Sequence, residues 1–277
     1  MRAEAIAKVT RLYPFLSGCG SLANHRLIDR LAGKPKREAW AEVEGGRLLV
    51  SLDDYVGRSA FYVGDLDRKV SAVVDRFVRP GDTVLDIGAN IGLVSLRLAQ
   101  RVGPAGVVHA FEPNPSVASR LTAALQASRV SNVQLHECAL GAENATLKLS
   151  VPDGNAGAAS LLSGQGFDVP VKRLDDFNLG AIAFVKIDVE GFEDQVLHGF
   201  SRTLTTEPPK VILFEQNDNT GGSIPILKQA GYQISGVAKS MLRLNLKPVS
   251  AWSPEFHDYL AVHHGCNSEP SCSPLHR

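Results

Sequence analysis

The spacing of the apolar positions becomes regular from residue 82 onward. Short apolar runs rich in β-branched residues lie at 83–87, 107–111, 133–138, 183–188 and 210–215, and helical spacing separates them at about 92–101, 115–127 and 190–204. Short strands joined by crossover helices are typical of a parallel sheet that is covered on both faces. The pattern therefore predicts a doubly wound, Rossmann-like α/β fold.

The residues before this alternation follow other periods. Residues 1–32 have helical spacing that is broken at Pro14, which predicts two short helices. Residues 39–63 predict short strands in a hairpin or meander around Gly45-Gly46, with the last strand near Phe61 and Val63. Helical spacing returns over 66–79 and ends at Pro80-Gly81. We therefore expect a small helical and hairpin extension over 1–65.

The second half of the chain adds strands to the regular pattern. Extra strands are predicted at 145–150 and 169–174, on either side of a glycine-rich loop at 152–166 that either covers a site or is disordered. Closing strands are predicted at 232–237, 241–246 and 258–263, the last pair antiparallel. The main domain is expected to span 66–264, followed by an unstructured tail at 265–277.

The composition of the chain limits the classes of partner and the compartment that we expect. The 277 residues include 29 Lys+Arg and 29 Asp+Glu, and this balance disfavours nucleic acid as a partner. No run approaches the ~18 apolar residues of a membrane span. Four irregularly spaced cysteines fit a reducing cytoplasm better than a disulfide framework. The segment 16–19 has the form of a lipoprotein cleavage site, but charges interrupt the apolar stretch before it, so we expect no signal there.

The first predicted strand of the sheet runs into a glycine turn and then a helix. Gly88 and Gly92 permit the tight backbone of a ligand-binding turn. Asp86 precedes this turn, and a carboxylate there favours a cationic ligand over the pyrophosphate of a dinucleotide. Asn90 and Leu93 also replace two glycines of the dinucleotide motif. The turn therefore indicates a cofactor site with a preference for positive charge.

The next two strands extend this site. Glu112 ends the second strand, 24 positions after Gly88, where an acidic residue hydrogen-bonds a ribose. Asn114 follows at the predicted helix start and is included among the cofactor-binding candidates. Glu137 and Cys138 end the third strand, at the level expected for an adenine. A packed strand terminus explains these last two equally well.

Several motifs together resemble those of FkbM-type methyltransferases. They are Asp86–Gly92, Phe111–Pro115, Ala139–Gly141, Ser160-Leu161, Leu174–Asp176 and Lys186–Glu193, in the order and approximate spacing of that family, over about residues 60–217. The resemblance implies a class I methyltransferase fold and the cofactor S-adenosyl-L-methionine. It also implies O-methylation of a hydroxyl on a sugar or secondary metabolite.

Acidic residues at the fourth and fifth strand ends supply candidate chemistry at the edge where such sheets bind ligands. Three interpretations stay open. Asp188 or Glu190, with Lys186 beside them, acts as the base that deprotonates the acceptor. Asp188, Glu215 and Asn217 instead bind a magnesium-like ion, which is not expected but fits their oxygen ligands. Otherwise Lys186 pairs with a carboxylate, and Glu190 and Glu193 favour the next helix start.

The leading hypothesis is an S-adenosylmethionine-dependent methyltransferase that O-methylates a small-molecule or carbohydrate acceptor. The alternatives are an NAD-type oxidoreductase and a non-catalytic binding protein on a methyltransferase fold. The absence of an Asn/Asp-Pro-Pro-Tyr motif argues against amino-group methylation of nucleic acid.

Overall fold

The computed structural model describes residues 2–32, 37–151, 159–161 and 165–265. Its helices are α1 (Arg2–Thr10), α2 (Cys19–Ala23), α3 (Arg26–Ala32), α4 (Tyr55–Val63), α5 (Arg68–Phe77), α6 (Leu93–Val102), α7 (Pro115–Ser128), α8 (Glu193–His198), α9 (Ser201–Thr206) and α10 (Ser223–Gln229), with a 3₁₀ turn at Leu174–Asp176. Its strands are β1 (Glu38–Val43), β2 (Gly46–Ser51), β3 (Thr83–Ile87), β4 (Val107–Phe111), β5 (Val133–His136), β6 (Ala139–Leu140), β7 (Ala145–Leu149), β8 (Phe167–Lys172), β9 (Phe184–Ile187), β10 (Val211–Glu215), β11 (Tyr232–Ala238), β12 (Asn245–Pro248) and β13 (Asp258–His263).

The central sheet has eight strands in the order β12-β11-β13-β10-β9-β3-β4-β5. Strands β10, β9, β3, β4 and β5 are parallel, and β13 is antiparallel to both β10 and β11. Helices pack on both faces of β3, β9 and β10, and the residues of β3, β4, β9 and β10 are almost all buried. The predicted class I methyltransferase fold with an antiparallel last strand is confirmed.

The predicted strand near residues 61–63 is wrong, because these residues end helix α4. The Asp54 side chain caps this helix by accepting a hydrogen bond from the backbone N–H of Gly57 at 2.5 Å. Gly64 ends it with φ +79°, a left-handed conformation suited to glycine. The aromatic and β-branched residues suggested a strand, but burial on a helix face outweighed that local preference.

Two further predictions differ from the structure in their boundaries, and two helices were missed. Residues 2–32 form three helices, α1, α2 and α3, rather than two. The helix predicted at 190–204 is two helices, α8 and α9, which meet at Gly199 and Phe200. The strand predicted at 241–246 begins only at Asn245, and Met241 and Leu242 before it are exposed. Helix α10 was not predicted, because its seven residues are too few to show a helical period of apolar positions.

The accessory segment packs directly against the main domain. The predicted hairpin is present as β1 and β2, and its residues share one hydrophobic cluster with α1–α4 and with Ile91, Leu96, Val117 and Ala124 of the main domain. The predicted domain boundaries stay a prediction. Most of the glycine-rich loop and the predicted tail from 266 lie outside the described residues. None of the helices within the described ranges combines the length and apolarity that a bilayer crossing requires.

Candidate active site

One large cavity lies over the carboxyl ends of the parallel strands. Its volume is about 730 Å³, toward the upper end of the usual range for small-molecule sites. The wall has two parts. After the cofactor site predicted there, we call the turn after β3 and the ends of β4 and β5 the cofactor half; we call the start of α2, the approach to α5 and the start of β13 the acceptor half. Asp188 and Glu190, which follow β9, also line this cavity.

The glycine turn after β3 fits tightly against the neighbouring strand end. Gly88 has φ +78°, and a Cβ added to it would lie 1.9 Å from the backbone oxygen of Asp188. Gly92 has φ +94°, and its Cβ would lie 2.2 Å from Leu121 Cδ1 on helix α7. Asn90 between them also has a positive φ, +51°, which asparagine tolerates better than most residues. The predicted glycines are therefore required by close approaches within the protein itself.

Glu112 is a buried carboxylate that closes the turn from the second strand. Its Oε2 accepts a hydrogen bond from the N–H of Asn90 and its Oε1 from the N–H of Asn114, both at 2.9 Å. Burial raises the pKa of Glu112, while these two backbone N–H groups oppose that shift. Each carboxylate oxygen keeps further acceptor capacity, which suits the ribose role predicted for it.

Asn114 lies beside this carboxylate and caps helix α7. Its Oδ1 accepts hydrogen bonds from the backbone N–H of Ser116 at 3.1 Å and from the Ser116 hydroxyl at 2.8 Å. The structure thus uses its side chain as a helix cap. A direct contact between Asn114 and the cofactor stays a prediction.

The third strand end brings only one of its two candidates to the cavity. Cys138 is buried and lines the wall together with Phe111 and Leu140, whereas Glu137 is exposed and lies off the wall. Burial raises the pKa of the Cys138 thiol. The apolar surface around Cys138 is suited to the flat face of a base.

Asp86 lies beneath the turn and does not reach the cavity wall. Its side chain is fully buried, accepts a hydrogen bond from the Ser95 hydroxyl at 2.6 Å, and lies 3.5 Å from the Lys186 ammonium. Burial raises its pKa, and Lys186 opposes this shift. We predicted a carboxylate aimed at the ligand. The buried position instead makes Asp86 a support for Lys186 and the turn.

Lys186 joins the turn to the fourth strand end. Its ammonium lies 3.0 Å from the carbonyl oxygen of Gly88, 3.3 Å from Asp188 Oδ2 and 3.5 Å from Asp86 Oδ1. The ammonium therefore donates a hydrogen bond to the Gly88 carbonyl oxygen and forms ion pairs with the two carboxylates. Burial would lower the pKa of Lys186, but the charges of Asp188 and Asp86 raise it above its usual value. Lys186 is therefore a charged, buried anchor whose role is to hold Asp188.

Asp188 and Glu190, the two base candidates after β9, differ in exposure and in the contacts that hold their side chains. Asp188 keeps 44% of its side chain exposed while Lys186 holds one of its oxygens. Glu190 is more exposed and has φ +52°, and the partial loss of solvent around its carboxylate and the nearby Asp188 raise its pKa. Glu193 accepts hydrogen bonds from the N–H groups of Val189 and Gly191, as its predicted helix-start role requires. Asp188 is thus the better placed of the two base candidates.

Two of the three metal-ligand candidates, Glu215 and Asn217, are hydrogen-bonded to each other. Asn217 donates a hydrogen bond to Glu215 Oε1 at 2.9 Å, and its own oxygen lies 3.0 Å from His257 Nδ1. Burial and the adjacent Asp188 raise the pKa of Glu215 to about 8. Over the ranges that the structure describes, no group of three or more His, Cys, Asp and Glu side chains is arranged to hold a metal ion. The metal hypothesis stays a prediction without geometric support.

The sequence did not indicate the acceptor half. Lys69, Asp67 and Asp258 line the cavity together, although 189 positions separate Lys69 from Asp258. Cys19 lines it as well, at the start of the short helix α2. No motif connects these positions, because only the insertion of β13 beside β10 brings Asp258 to this edge. The sequence signal for this part of the wall was Asp258, a charged residue at the start of the antiparallel strand β13.

Comparison with known proteins identifies the family of the central part. The model of the Methyltransferase FkbM domain matches residues 86–234, just over half of the 277-residue chain. The matching segment includes the glycine turn, Glu112 and the fourth and fifth strand ends. It leaves out the accessory segment, α5 and β13.

Two curated relatives match part of the chain at similar identity. Methyltransferase 1 of Beauveria bassiana is 32% identical over 148 residues, covering 43% of this chain and 59% of the relative. The 31-O-demethyl-FK506 methyltransferase FkbM of Streptomyces tacrolimicus is 31% identical over 159 residues, covering 44% of this chain and 60% of the relative. The chain thus spans about three fifths of each relative's length.

A solved structure is similar at lower identity. The methyltransferase FkbM of Methylobacillus flagellatus KT aligns with a TM-score of 0.46 and 18% identity, over 76% of this chain and 53% of that one.

Proposed function

The chain belongs to the FkbM methyltransferase family, and on this premise we propose that it is an S-adenosyl-L-methionine-dependent methyltransferase that methylates a hydroxyl group of a small-molecule or carbohydrate acceptor. The name of the Streptomyces relative, a 31-O-demethyl-FK506 methyltransferase, denotes an oxygen acceptor on a small molecule. The matched segment covers only part of each relative, so we infer the class of acceptor from the chemistry of the cavity wall.

The chemistry of the cavity wall suits the cofactor. Glu112 offers buried acceptor oxygens for ribose hydroxyls, and the surface around Cys138 is suited to adenine. In the cofactor half and at the fourth strand end, Glu112, Asp188 and Glu190 line the cavity together with the ammonium of Lys186. This charge balance favours a ligand with an ammonium and a sulfonium and disfavours the pyrophosphate of NAD.

The single observation that carries O-methylation is Asp188. Its carboxylate is held on one side by Lys186 and is half exposed to the cavity beside the glycine turn. A hydroxyl is a poor nucleophile until its proton is removed, and a carboxylate within hydrogen-bond reach can accept that proton.

In the proposed reaction, the hydroxyl proton of the acceptor passes to Asp188 while Lys186 keeps the carboxylate in place. When bound, S-adenosylmethionine supplies an electrophilic methyl group whose bond to sulfur breaks as the acceptor oxygen forms its bond to carbon, the electron pair staying on sulfur. The protein contributes alignment, the base and exclusion of water.

The test is methyl transfer from radiolabelled S-adenosylmethionine to a set of hydroxylated metabolites and glycans, with the binding of S-adenosylhomocysteine and of NAD measured by titration calorimetry. We expect adenosylhomocysteine to bind and NAD not to bind. Asp188→Asn should reduce transfer by about 10²–10⁴-fold, the usual contribution of a general base, and change adenosylhomocysteine affinity only a few-fold.

Two other results would contradict the proposal. Tight NAD binding without adenosylhomocysteine binding would support an oxidoreductase, and cofactor binding with undiminished biological activity in Asp188→Asn would support a non-catalytic protein. Transfer that is lost in EDTA and restored by Mg²⁺ would replace the base mechanism with metal assistance.

A further inference from the structure

The acceptor half of the cavity contains an ion-paired group of three side chains, which we call the Lys69 triad. The Lys69 ammonium lies 2.8 Å from Oδ2 of Asp258 and 3.1 Å from Oδ2 of Asp67. Asp67 is the N-cap of α5, and Asp258 begins β13. All three residues line the cavity.

The exposure of the three side chains shows which groups remain accessible. The Lys69 side chain is 8% exposed, whereas those of Asp67 and Asp258 are 34% and 20% exposed. Across the described ranges, Oδ1 of Asp258 has no hydrogen-bond partner. The ammonium is therefore used within the protein. Oδ1 of Asp258 stays available as an acceptor, and the oxygens of Asp67, which accept from the backbone N–H and the ammonium of Lys69, keep further acceptor capacity.

The triad is also close to the reacting end of the cavity. Asp258 lies opposite Glu215 in the β10–β13 pairing. Glu215 in turn contacts Asp188, the proposed base. An acceptor held by the triad would thus lie along the wall that leads to Asp188.

We propose that the Lys69 triad is the specificity-determining part of the acceptor site, in which Asp67 and Asp258 accept hydrogen bonds from neighbouring hydroxyl groups of an uncharged, polyhydroxylated acceptor. Lys69 positions both carboxylates and does not contact the reacting atoms. This inference rests on the proposed function, since it assigns the acceptor of the same cavity.

The charges of this half select against ionised acceptors. Asp67 and Asp258 are ion-paired with Lys69, and Asp65, Arg97 and Lys239 line the same cavity, so charges of both signs are present on its wall. An anionic acceptor would meet the two carboxylates, whereas a cationic acceptor would gain little from carboxylates whose charge Lys69 already neutralises. Hydroxyl groups instead donate charge-assisted hydrogen bonds to carboxylates, which are stronger than bonds between neutral groups.

A buried ion pair is weak evidence of a purely structural role. Removing Lys69 from water is costly, and an apolar contact between α5 and β13 would serve stability as well. The triad also lies outside residues 86–234, the segment that matches the family. The part of the cavity that selects the acceptor is therefore separate in sequence from the part that binds the cofactor.

The experiment uses the full chain loaded with S-adenosylhomocysteine. Binding of methyl glycosides of neutral hexoses is measured by saturation-transfer NMR and compared with methyl glycosides of glucuronic acid and of glucosamine. We expect at least one neutral glycoside to bind more tightly than both charged ones. Absence of binding by every neutral glycoside, or preference for a charged one, would overturn the proposal.

Variants then test the residues. Asp258→Asn and Lys69→Met should weaken glycoside binding by about tenfold or more, roughly the 1.4 kcal/mol of one charge-assisted hydrogen bond. Adenosylhomocysteine affinity should stay within about twofold in both. The matched control is Lys148→Met, which removes an exposed ion pair with Asp168 at 2.7 Å; neither residue lines the cavity, so the affinity for both ligands should stay unchanged.

The outcomes also separate the two proposals. Failure of the wild-type protein to bind adenosylhomocysteine refutes the proposed function. Normal adenosylhomocysteine binding, with glycoside binding that is equal in wild type, Asp258→Asn and the milder Asp67→Asn, refutes the triad alone. An effect of Lys69→Met on thermal unfolding but not on glycoside affinity would show that the triad only joins α5 to β13.

Discussion

The two halves of the cavity are built on different principles. The cofactor half is assembled from consecutive strand ends within one segment, and backbone groups hold its carboxylate, as the N–H bonds to Glu112 show. The acceptor half is assembled from α2, α5 and β13, which are far apart in sequence, and side-chain charges hold it together. Contacts made by the backbone stay when a side chain is replaced, whereas contacts made by side chains can be altered by single substitutions. We therefore expect the first half to be intolerant of substitution and the second to be adjustable.

The largest effect is expected from an added side chain in the cofactor half. Gly88→Ala should reduce adenosylhomocysteine affinity by about 100-fold or more, because φ is +78° and the new Cβ would lie 1.9 Å from the Asp188 oxygen. Gly81→Ala is the matched control: its φ is +87°, but nothing lies within 4 Å of its Cβ. Calorimetry gives the affinities, and circular dichroism checks that both variants fold. Equal affinities in the two variants would remove the close approach as the reason for glycine.

A medium effect is expected from Glu215, at the border of the two halves. Burial and Asp188 raise its pKa from about 4.5 to about 8, so the folded protein holds a proton that the unfolded chain releases. Stability should therefore decrease as the pH rises from about 4.5 to 8. Glu215→Gln should remove that part of the slope, measured as the free energy of unfolding in urea at pH 5 and pH 8. An unchanged slope would show that Glu215 is ionised in the folded protein at neutral pH.

The smallest effect is expected at Asn114. Asn114→Ala should cost about 1 kcal/mol of stability through the lost cap of α7. Asn114→Asp should restore the cap, since aspartate also accepts the Ser116 hydrogen bonds. If Asn114→Asp restores the free energy of unfolding but not adenosylhomocysteine affinity, then Asn114 also contacts the cofactor, as the sequence predicted.

The same contrast explains what the sequence revealed. The alternating strands, the glycine turn and the strand-end positions of Glu112 and Asp188 were predictable, because local period and position after a strand determine them. The burial of Asp86 was not, since only the neighbouring strand supplies the Lys186 that holds it there. The Lys69 triad was not predictable either, because it depends on which strand lies beside β10.

Helix α4 shows a different limit. Phe61, Tyr62 and Val63 prefer strands by residue type, but Asp54 and Gly64 delimit a helix whose apolar face packs against the hairpin. The helix signals at its two ends outweighed composition. Recognising them together would have corrected that prediction.

The place of β13 has a consequence for how the molecule comes to be folded. Strand β13 pairs with β10 on one side and β11 on the other, although β11 is made before it. If the chain folds during synthesis, the edges of β10 and β11 that pair with β13 stay unpaired, or pair wrongly with each other, until β13 has been made. Such non-local pairings slow folding and leave strand edges open to aggregation. Strand β13, the last strand within the described residues, thus completes both the sheet and, through Asp258, the cavity, so a chain that lacks β13 would have the glycine turn but an unfinished acceptor half.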